Sequence, residues 1–489
     1  MRTRPWTSRR TFLKSGAGLA AGAATLPWLT AEAVQQNQSD ETLDVVKRGN
    51  GDRNHRFLLK GGTIISMDPQ VGNFAKGDVL IEGKKILAVG ADIRAAGQRI
   101  DATGMILIPG FADAHRHAWE GQLRGINPNA VTLADYNAYT HQGFGPHYRP
   151  HDIYVGNLAT ALGCIDAGIT CIIDNSHNSR SSAHSDAAIQ ALFDSGIRAV
   201  HASGAPQFGQ WDGQWPQDLV RLQKTYFSSN DQLVTLRMFS PVNAANWTFA
   251  KQLNLWITTE GGGGALLPTV AGLGLLDNRH TFNHMGGTPE LNWQLIRDAG
   301  ATVNVCPRSD PQYALSEGIP ALQGALDHGM RPGLSVDNDT SYSTDMFMEM
   351  RVAFFFQRGV RRNGIFKGLP NPPAPVTPKD MLEFATVRGV ENAGLLHKAG
   401  TLTPGKEADI VLIRADDLNT MPLANAYDTV VQQAHAGNVD TVFIGGQIRK
   451  WRGRLVDVDL TKLRGLVSDS RQYLFEQRGF VLDIFAEKP

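Results

Sequence analysis

The stretch Pro109-Gly110-Phe111-Ala112-Asp113-Ala114-His115-Arg116-His117-Ala118-Trp119-Glu120-Gly121-Gln122-Leu123-Arg124-Gly125 decides how this chain is read. The apolar run from Met105 to Ile108 leads into it and has the composition of a buried strand. Residues two apart on a strand share a face. His115 and His117 therefore converge on one point at the strand's end, while Arg116 turns away. Imidazole is a ligand for zinc, iron and related transition metals.

Outward from this stretch, strand-like and helix-like segments alternate. Eight strand candidates follow one another: Met105–Ala114, Ile169–Asp174, Arg198–Ala202, Leu236–Ser240, Leu255–Thr259, His280–His284, Thr302–Cys306 and Gly333–Asp337. Helical patterns lie between most of them, for example Ser185 to Ser195 and Pro289 to Ala299. Eight βα units predict an α/β fold with a (β/α)8 barrel. An open doubly wound sheet would carry a Gly-rich phosphate loop after its first strand, and none is present. Short strands before the barrel (Phe57–Ile65 and the hairpin Asp78–Gly90) match a similar set after it (Gly405–Ile413 and Val439–Ile448). They predict one small β-sandwich domain built from both ends of the chain. The expected division is 55–108 and 401–456 for the sandwich, 109–400 for the barrel, and 457–489 for a helical tail with its helix over Leu463 to Arg478.

Active sites of such barrels lie at the C-terminal ends of the strands. There the sequence places His115 and His117 on strand one, and Asp174 with Asn175, Ser176 and His177 on strand two. His284 ends strand six, Cys306-Pro307-Arg308-Ser309 strand seven, and Asp337 strand eight. Three histidines and an aspartate suffice for a hydrolytic metal centre, in which the ion lowers the pKa of a bound water. Asp337 would take that water's proton, and His284 would polarise a carbonyl or ring nitrogen. Trp119, Gln122, His177, Glu260 and Ser309 are the substrate-contact candidates. His280 begins its strand, at the end remote from chemistry, and reads as structural. Asp339 and Asp345 read as caps for a helix beginning near Thr344. Phe354-Phe355-Phe356 reads as core.

The Pro-Gly turn, the His-x-His pair and Leu123-Arg124-Gly125 together resemble the opening motif of the amidohydrolase superfamily, in its cytosine deaminase and chlorohydrolase branch. Gly405-Lys406-Glu407-Ala408-Asp409 resembles the family's Gly-Lys-x-Ala-Asp signature, which is structural there. Cys306-Pro307-Arg308-Ser309 followed by Gly318-Ile319-Pro320 resembles Pro-x-Ser-Asn followed by Gly-x-x-Pro, with Asp310 where Asn is usual. The resemblance implies His115, His117 and Asp337 as metal ligands. It implies His284 as a contact to water, substrate or metal, and a divalent ion as cofactor, zinc first, with iron or manganese as alternatives. The implied activity is hydrolysis of a C–N bond, by deamination or cyclic amide opening, in a small nitrogen heterocycle. The sequence departs from the family at strand five. The usual ligand histidine is missing from Leu255-Trp256-Ile257-Thr258-Thr259-Glu260, where Ile257 or Thr258 holds its place, and Glu260 is the candidate for the glutamate that follows that histidine in the family and relays protons. That departure sustains a second reading, a metal-poor barrel serving as a cyclase or lyase or as a small-molecule binding protein.

Composition bounds the rest. The chain has 489 residues, 42% hydrophobic and 19% charged, with a formal net charge of zero. It is core-forming, and it has no strong field for nucleic acid or a membrane surface. Three unclustered cysteines, Cys164, Cys171 and Cys306, suggest free buried thiols and no disulfide framework. Ser8-Arg9-Arg10-Thr11-Phe12-Leu13-Lys14, the mild apolar run Gly16 to Leu29 and Ala31-Glu32-Ala33 match a twin-arginine export signal over residues 1–33. The run is too short for a stable membrane span. A polar linker over 34–54 follows. The expected partners are the twin-arginine export machinery and a small-molecule substrate, the expected address is the periplasm or beyond, and a homo-oligomer is the expectation by analogy with the family.

Overall fold

The computed structural model describes Lys47 and residues 49–229, 231–315 and 318–485. The export signal and most of the expected linker lie outside these residues. The first strands are β1 (Arg56–Ile65), β2 (Asn73–Glu82), β3 (Lys85–Gly90), β4 (Gln98–Asp101) and β5 (Met105–Pro109). Eight barrel strands follow: β6 (Phe111–Arg116), β7 (Ile169–Ser176), β8 (Arg198–Ser203), β9 (Val234–Phe239), β10 (Ile257–Glu260), β11 (His280–Asn283), β12 (Thr302–Val305) and β13 (Gly333–Leu334). The chain closes with β14 (Ile410–Arg414), β15 (Val439–Ile444), β16 (Gln447–Trp451) and β17 (Arg454–Leu455).

The barrel strands pair in parallel, in chain order, and a bridge between Arg116 and Asp337 joins the last to the first. The other nine strands form one mixed sheet in the order β17-β16-β15-β14-β5-β1-β2-β3, with β4 beside β1. The two ends of the chain therefore combine into one small β domain, as the sequence pattern implies.

Four expectations need correction. The run Met105–Ala114 is two strands. β5 joins the mixed sheet beside β14 and β1, and β6 opens the barrel beside β7. Gly110 separates them, and a Cβ there would lie 2.1 Å from Thr170 Oγ1. Only glycine lets the chain pass this closely between the sheets. Strand eight is Gly333–Leu334 and stops short of Asp337, whose φ of +75° takes it out of extended geometry. The triplet Phe354-Phe355-Phe356 is core only in part: Phe354 packs against the core while Phe355 is 61% exposed, because successive positions on the helix Met346–Phe366 face different ways. Asp339 is no cap. It is buried and accepts from Arg116 Nη2 at 2.5 Å and Thr160 Oγ1 at 2.7 Å, while Asp345 caps the helix.

The tail forms the helix Leu460–Arg478. It packs on the first barrel helix, Pro150–Asp166, where Ser470 Oγ donates to Asp152 Oδ1 at 2.8 Å and Leu474 and Phe475 join a cluster with Trp119 and Phe144. Cys164, Cys171 and Cys306 are free and buried, as expected. No helix among the described residues is long and apolar enough to cross a membrane.

Candidate metal centre

His115 and His117 end β6 with their rings edge to face, 4.7 Å between centroids. Asn175, at the end of β7, orients both. Its backbone oxygen accepts from His117 Nδ1 at 3.0 Å, which aims Nε2 at the centre of the barrel mouth. Its side-chain amide meets His115 Nδ1, and its Oδ1 has no other partner. Rotating that amide by 180° turns Oδ1 onto a His115 Nδ1–H and frees the Nε2 lone pair for a metal.

Asp337 faces this pair. Its Oδ1 lies 3.1 Å from His115 Nε2 and 3.4 Å from His117 Nε2. Its backbone N–H donates to His115 O at 3.1 Å, and its carbonyl accepts from the His117 N–H at 2.8 Å, so strand one holds it on both sides. Ser309 Oγ donates to Asp337 Oδ2 at 2.5 Å. Burial raises the Asp337 carboxyl, but the hydrogen bond from His115 and the charges of His115, His284 and His117 outweigh it and hold the group far below the usual carboxylate range. His115, His117 and Asp337 form one cluster of ligand atoms close enough to share an ion. Atoms bonded to one ion at about 2.0–2.2 Å lie about 3–3.6 Å apart, which matches these separations.

His284, just after β11, stacks edge to face on His115 at 5.0 Å. Its Nδ1 lies 2.8 Å from Asp310 Oδ1. Burial pulls its pKa down, but Cys306 and the hydrogen bond to Asp310 more than reverse this and raise it well above 6.5. Burial raises the Asp310 carboxyl as well, so the pair holds a proton between them. His284 and Asp337 both adopt left-handed backbone, φ +64° and +75°. Such strain in residues other than glycine costs about 1–3 kcal/mol each and gathers at functional sites.

A second ring of side chains forms the wall. His177 lies 4.4 Å from the His117 ring and 4.7 Å from His141, with its Nε2 unpartnered. Burial lowers His177 well below its usual pKa, with His117 and His141 adding to the effect, and burial alone takes His141 down to about 4. Both are neutral imidazoles at pH 7. Trp119 packs against both. Glu120 accepts from Tyr136 Oη at 2.6 Å, and burial pushes its carboxyl up to about 8.

Of the residues proposed from sequence, His115, His117, Asp337, His284, Glu260, His177, Trp119 and Ser309 come together here. Gln122 does not. Its amide donates to Asp152 O at 3.1 Å and Ser470 Oγ at 3.3 Å, away from the mouth, because the turn Ala118–Leu123 directs it at the first barrel helix. Ser309 touches Asp337 and so acts through it. Glu260 ends β10, with its oxygens 3.6 Å from His115 Nε2 and 3.5 Å from His284 Nε2. His280 is structural, as read, bound to Asp277. Asn175, Asp310 and His141 were not singled out as site residues by sequence reasoning. The position of Asn175 at the end of strand two was the one signal that could have found it.

Residues 260–449 match the Amidohydrolase family. The chain is 27% identical over 437 residues to a 5-methylthioadenosine/S-adenosylhomocysteine deaminase of Pyrococcus furiosus, covering 83% of this chain and 98% of that protein. It is 24% identical over 433 residues to a 5'-deoxyadenosine deaminase of Methanobrevibacter smithii, covering 82% and 94%. Among solved structures, a zinc-bound adenosine deaminase of Xanthomonas campestris superimposes with a TM-score of 0.75 at 21% identity, over 87% of this chain and 99% of that one. A zinc-complexed atrazine chlorohydrolase of Arthrobacter aurescens gives 0.73 at 22%, over 85% and 100%. At these identities the structural likeness speaks for the fold.

Proposed function

We propose that this protein is a metal-dependent amidohydrolase that hydrolyses a C–N bond of a small nitrogen heterocycle. Deamination is favoured over ring opening by the deaminases among its relatives. The observation that carries the reading is the convergence of His115, His117 and Asp337 at ligand-to-ligand separations, with His284 beside them. A divalent ion held there, zinc first, would supply Lewis-acid activation of a water.

The protein's own groups supply the rest. Asp337 is ionised across the neutral range and stands where the attacking water loses its proton, so its carboxylate is the acceptor. His284, held protonated against Asp310, can donate a hydrogen bond to a ring nitrogen and draw electrons from the carbon under attack. The proton on Asp337 then passes to the departing nitrogen, which leaves as an amine or ammonia. His177, His141 and Trp119 are neutral and flat, and they line a wall for a heterocycle while excluding water. The twin-arginine signature Ser8–Lys14 supports an address in the periplasm or beyond.

The test is metal content of the mature protein purified without chelator, by elemental mass spectrometry, together with ammonia release from 5-methylthioadenosine and related aminated heterocycles. About one equivalent of metal with turnover of one of these compounds is expected. Less than about a tenth of an equivalent, unchanged after incubation with zinc, iron or manganese, overturns the reading.

A further inference from the structure

We infer that the protein binds a small oxyanion, a phosphate or a carboxylate, in a second cavity at the end of the barrel opposite the metal centre. The cavity has a volume of about 490 Å3, within the range of small-molecule sites. It lies at the N-terminal ends of the strands. Thr235 and Leu236 come from the start of β9, Trp256 directly precedes β10, and His397 and Lys398 follow the helix Gly389–Asn392. Arg237, His397 and Lys398 line it, and none of its described lining residues is acidic.

Arg237 sets this cavity apart. Among the described residues, three arginines are less than 2% exposed. Arg116 is paired with Asp113 and Asp339, and Arg198 with Glu407 and Asp409. Arg237 has only neutral partners. Its Nη1 donates to Thr281 Oγ1 at 3.1 Å and its Nη2 to Asn392 O at 2.8 Å, and the guanidinium lies 5.1 Å from the centre of the Trp256 ring. Its Nε–H has no partner. Burial pushes its pKa down to about 9, which leaves the group charged at neutral pH. A buried cation without a counter-charge is costly.

Thr281 and Asn392 ask for two N–H donors, which a neutral amide also has. The charge of Arg237 is what an anion answers. The rest of the cavity adds to it. Lys398 is half-buried at the rim, beside the exposed His397. The carboxylates that act on Lys398, Glu407 and Asp231, are themselves paired with Arg198 and Lys84. An oxyanion in the cavity meets a positive field from the floor and N–H donors at the rim. Guanidinium and ammonium groups bind phosphate and carboxylate alike. The inference is independent of the metal-dependent reading.

The experiment titrates the full purified protein with inorganic phosphate and with succinate by isothermal titration calorimetry, at an ionic strength held constant with sodium chloride. Wild type, Arg237→Gln, Lys398→Gln and His115→Ala are compared, with thermal melts as the fold control. Expected is a wild-type Kd below about 1 mM for at least one probe, and which probe binds separates phosphate from carboxylate chemistry. Arg237→Gln and Lys398→Gln should each weaken binding at least about tenfold. His115→Ala, which disables the metal centre, should leave Kd within about threefold of wild type. Where Arg237→Gln does not fold, Lys398→Gln decides alone. A wild-type Kd above about 1 mM for both probes overturns the inference. So does binding that every folded cavity variant retains, or binding that only His115→Ala removes, since that anion sits at the metal centre.

Discussion

Two of the clusters of charged side chains that the barrel buries are opposites. At the junction with the mixed sheet, Arg198 donates through Nε to Asp409 Oδ2 at 2.7 Å and through Nη2 to Asp409 Oδ1 at 2.9 Å and Glu407 Oε2 at 2.7 Å. Asp409 Oδ1 also accepts from the Gly445 N–H at 2.8 Å. Every buried polar atom of that cluster has a partner. At the mouth, Glu260 Oε1 and Oε2, His177 Nε2, His141 Nδ1 and Glu120 Oε2 have none. A satisfied network locks two layers together. An unsatisfied one leaves atoms that a water, an ion or a ligand can partner. Both clusters draw on polar residues at strand ends, so burial and charge do not tell them apart. The state of their hydrogen bonds does.

The largest expected effect is at the mouth. Asp337→Asn removes the proton acceptor and a ligand together, and turnover should fall by at least about 10⁴-fold. The unfolding midpoint of the metal-free protein should change little. A variant keeping a tenth of the activity would break the assignment.

Arg198→Met is the mirror experiment. It leaves Asp409 and Glu407 buried without their cation, and urea unfolding should show a loss of about 3–5 kcal/mol. Metal content per folded molecule should stay as in wild type. If metal is lost while stability holds, the two clusters have been assigned the wrong way round.

Ligand should act on one cluster only. Metal at about a hundred times its Kd should stabilise wild type by about 2.7 kcal/mol. The increment should vanish in His115→Ala and persist in Arg198→Met. Thermal melts with and without metal read this directly.

The smallest effect, read over a single pH unit, is a pH dependence. The Glu120 carboxyl has a folded pKa of about 8 against an ordinary 4.5, because burial favours its neutral form. The folded state therefore binds the extra proton, and the contribution of Glu120 to stability is complete below 4.5 and is lost as pH rises to 8. Glu120→Gln keeps an acceptor for Tyr136 and does not titrate. Its stability should gain on wild type by about 1 kcal/mol between pH 7 and 8, and by about 0.4 kcal/mol more above that. A constant difference across pH 5 to 9 would show that Glu120 is ionised throughout.

The site was legible in the sequence wherever a residue type and a strand end coincided. His115, His117, His284 and Asp337 each close an apolar run, and the barrel rule then assigns them one face. Gln122 was misread because a position shortly after the histidine pair does not fix a direction. The chain turns at Ala118–Leu123 and sends the amide into the first barrel helix. Asn175 stands among several polar residues at the end of strand two, and its residue type does not mark it out, because half of its role rests on a backbone oxygen, which carries no residue signature. Asp310 was visible only as a departure from a pattern, and its hydrogen bond to His284 gives that departure a physical meaning.

Local periodicity and spacing are enough to specify the eight βα units, the shared small domain at the two ends, and the histidine pair on one face. The folded chain alone reveals that Met105–Ala114 divides at Gly110, that Asp337 and His284 sit in left-handed backbone, and that the oxygens of Glu260 lie between two histidines. Those features depend on distances between segments far apart in the chain. No local pattern encodes them, because each is set by the close packing of neighbours that meet only when the barrel closes.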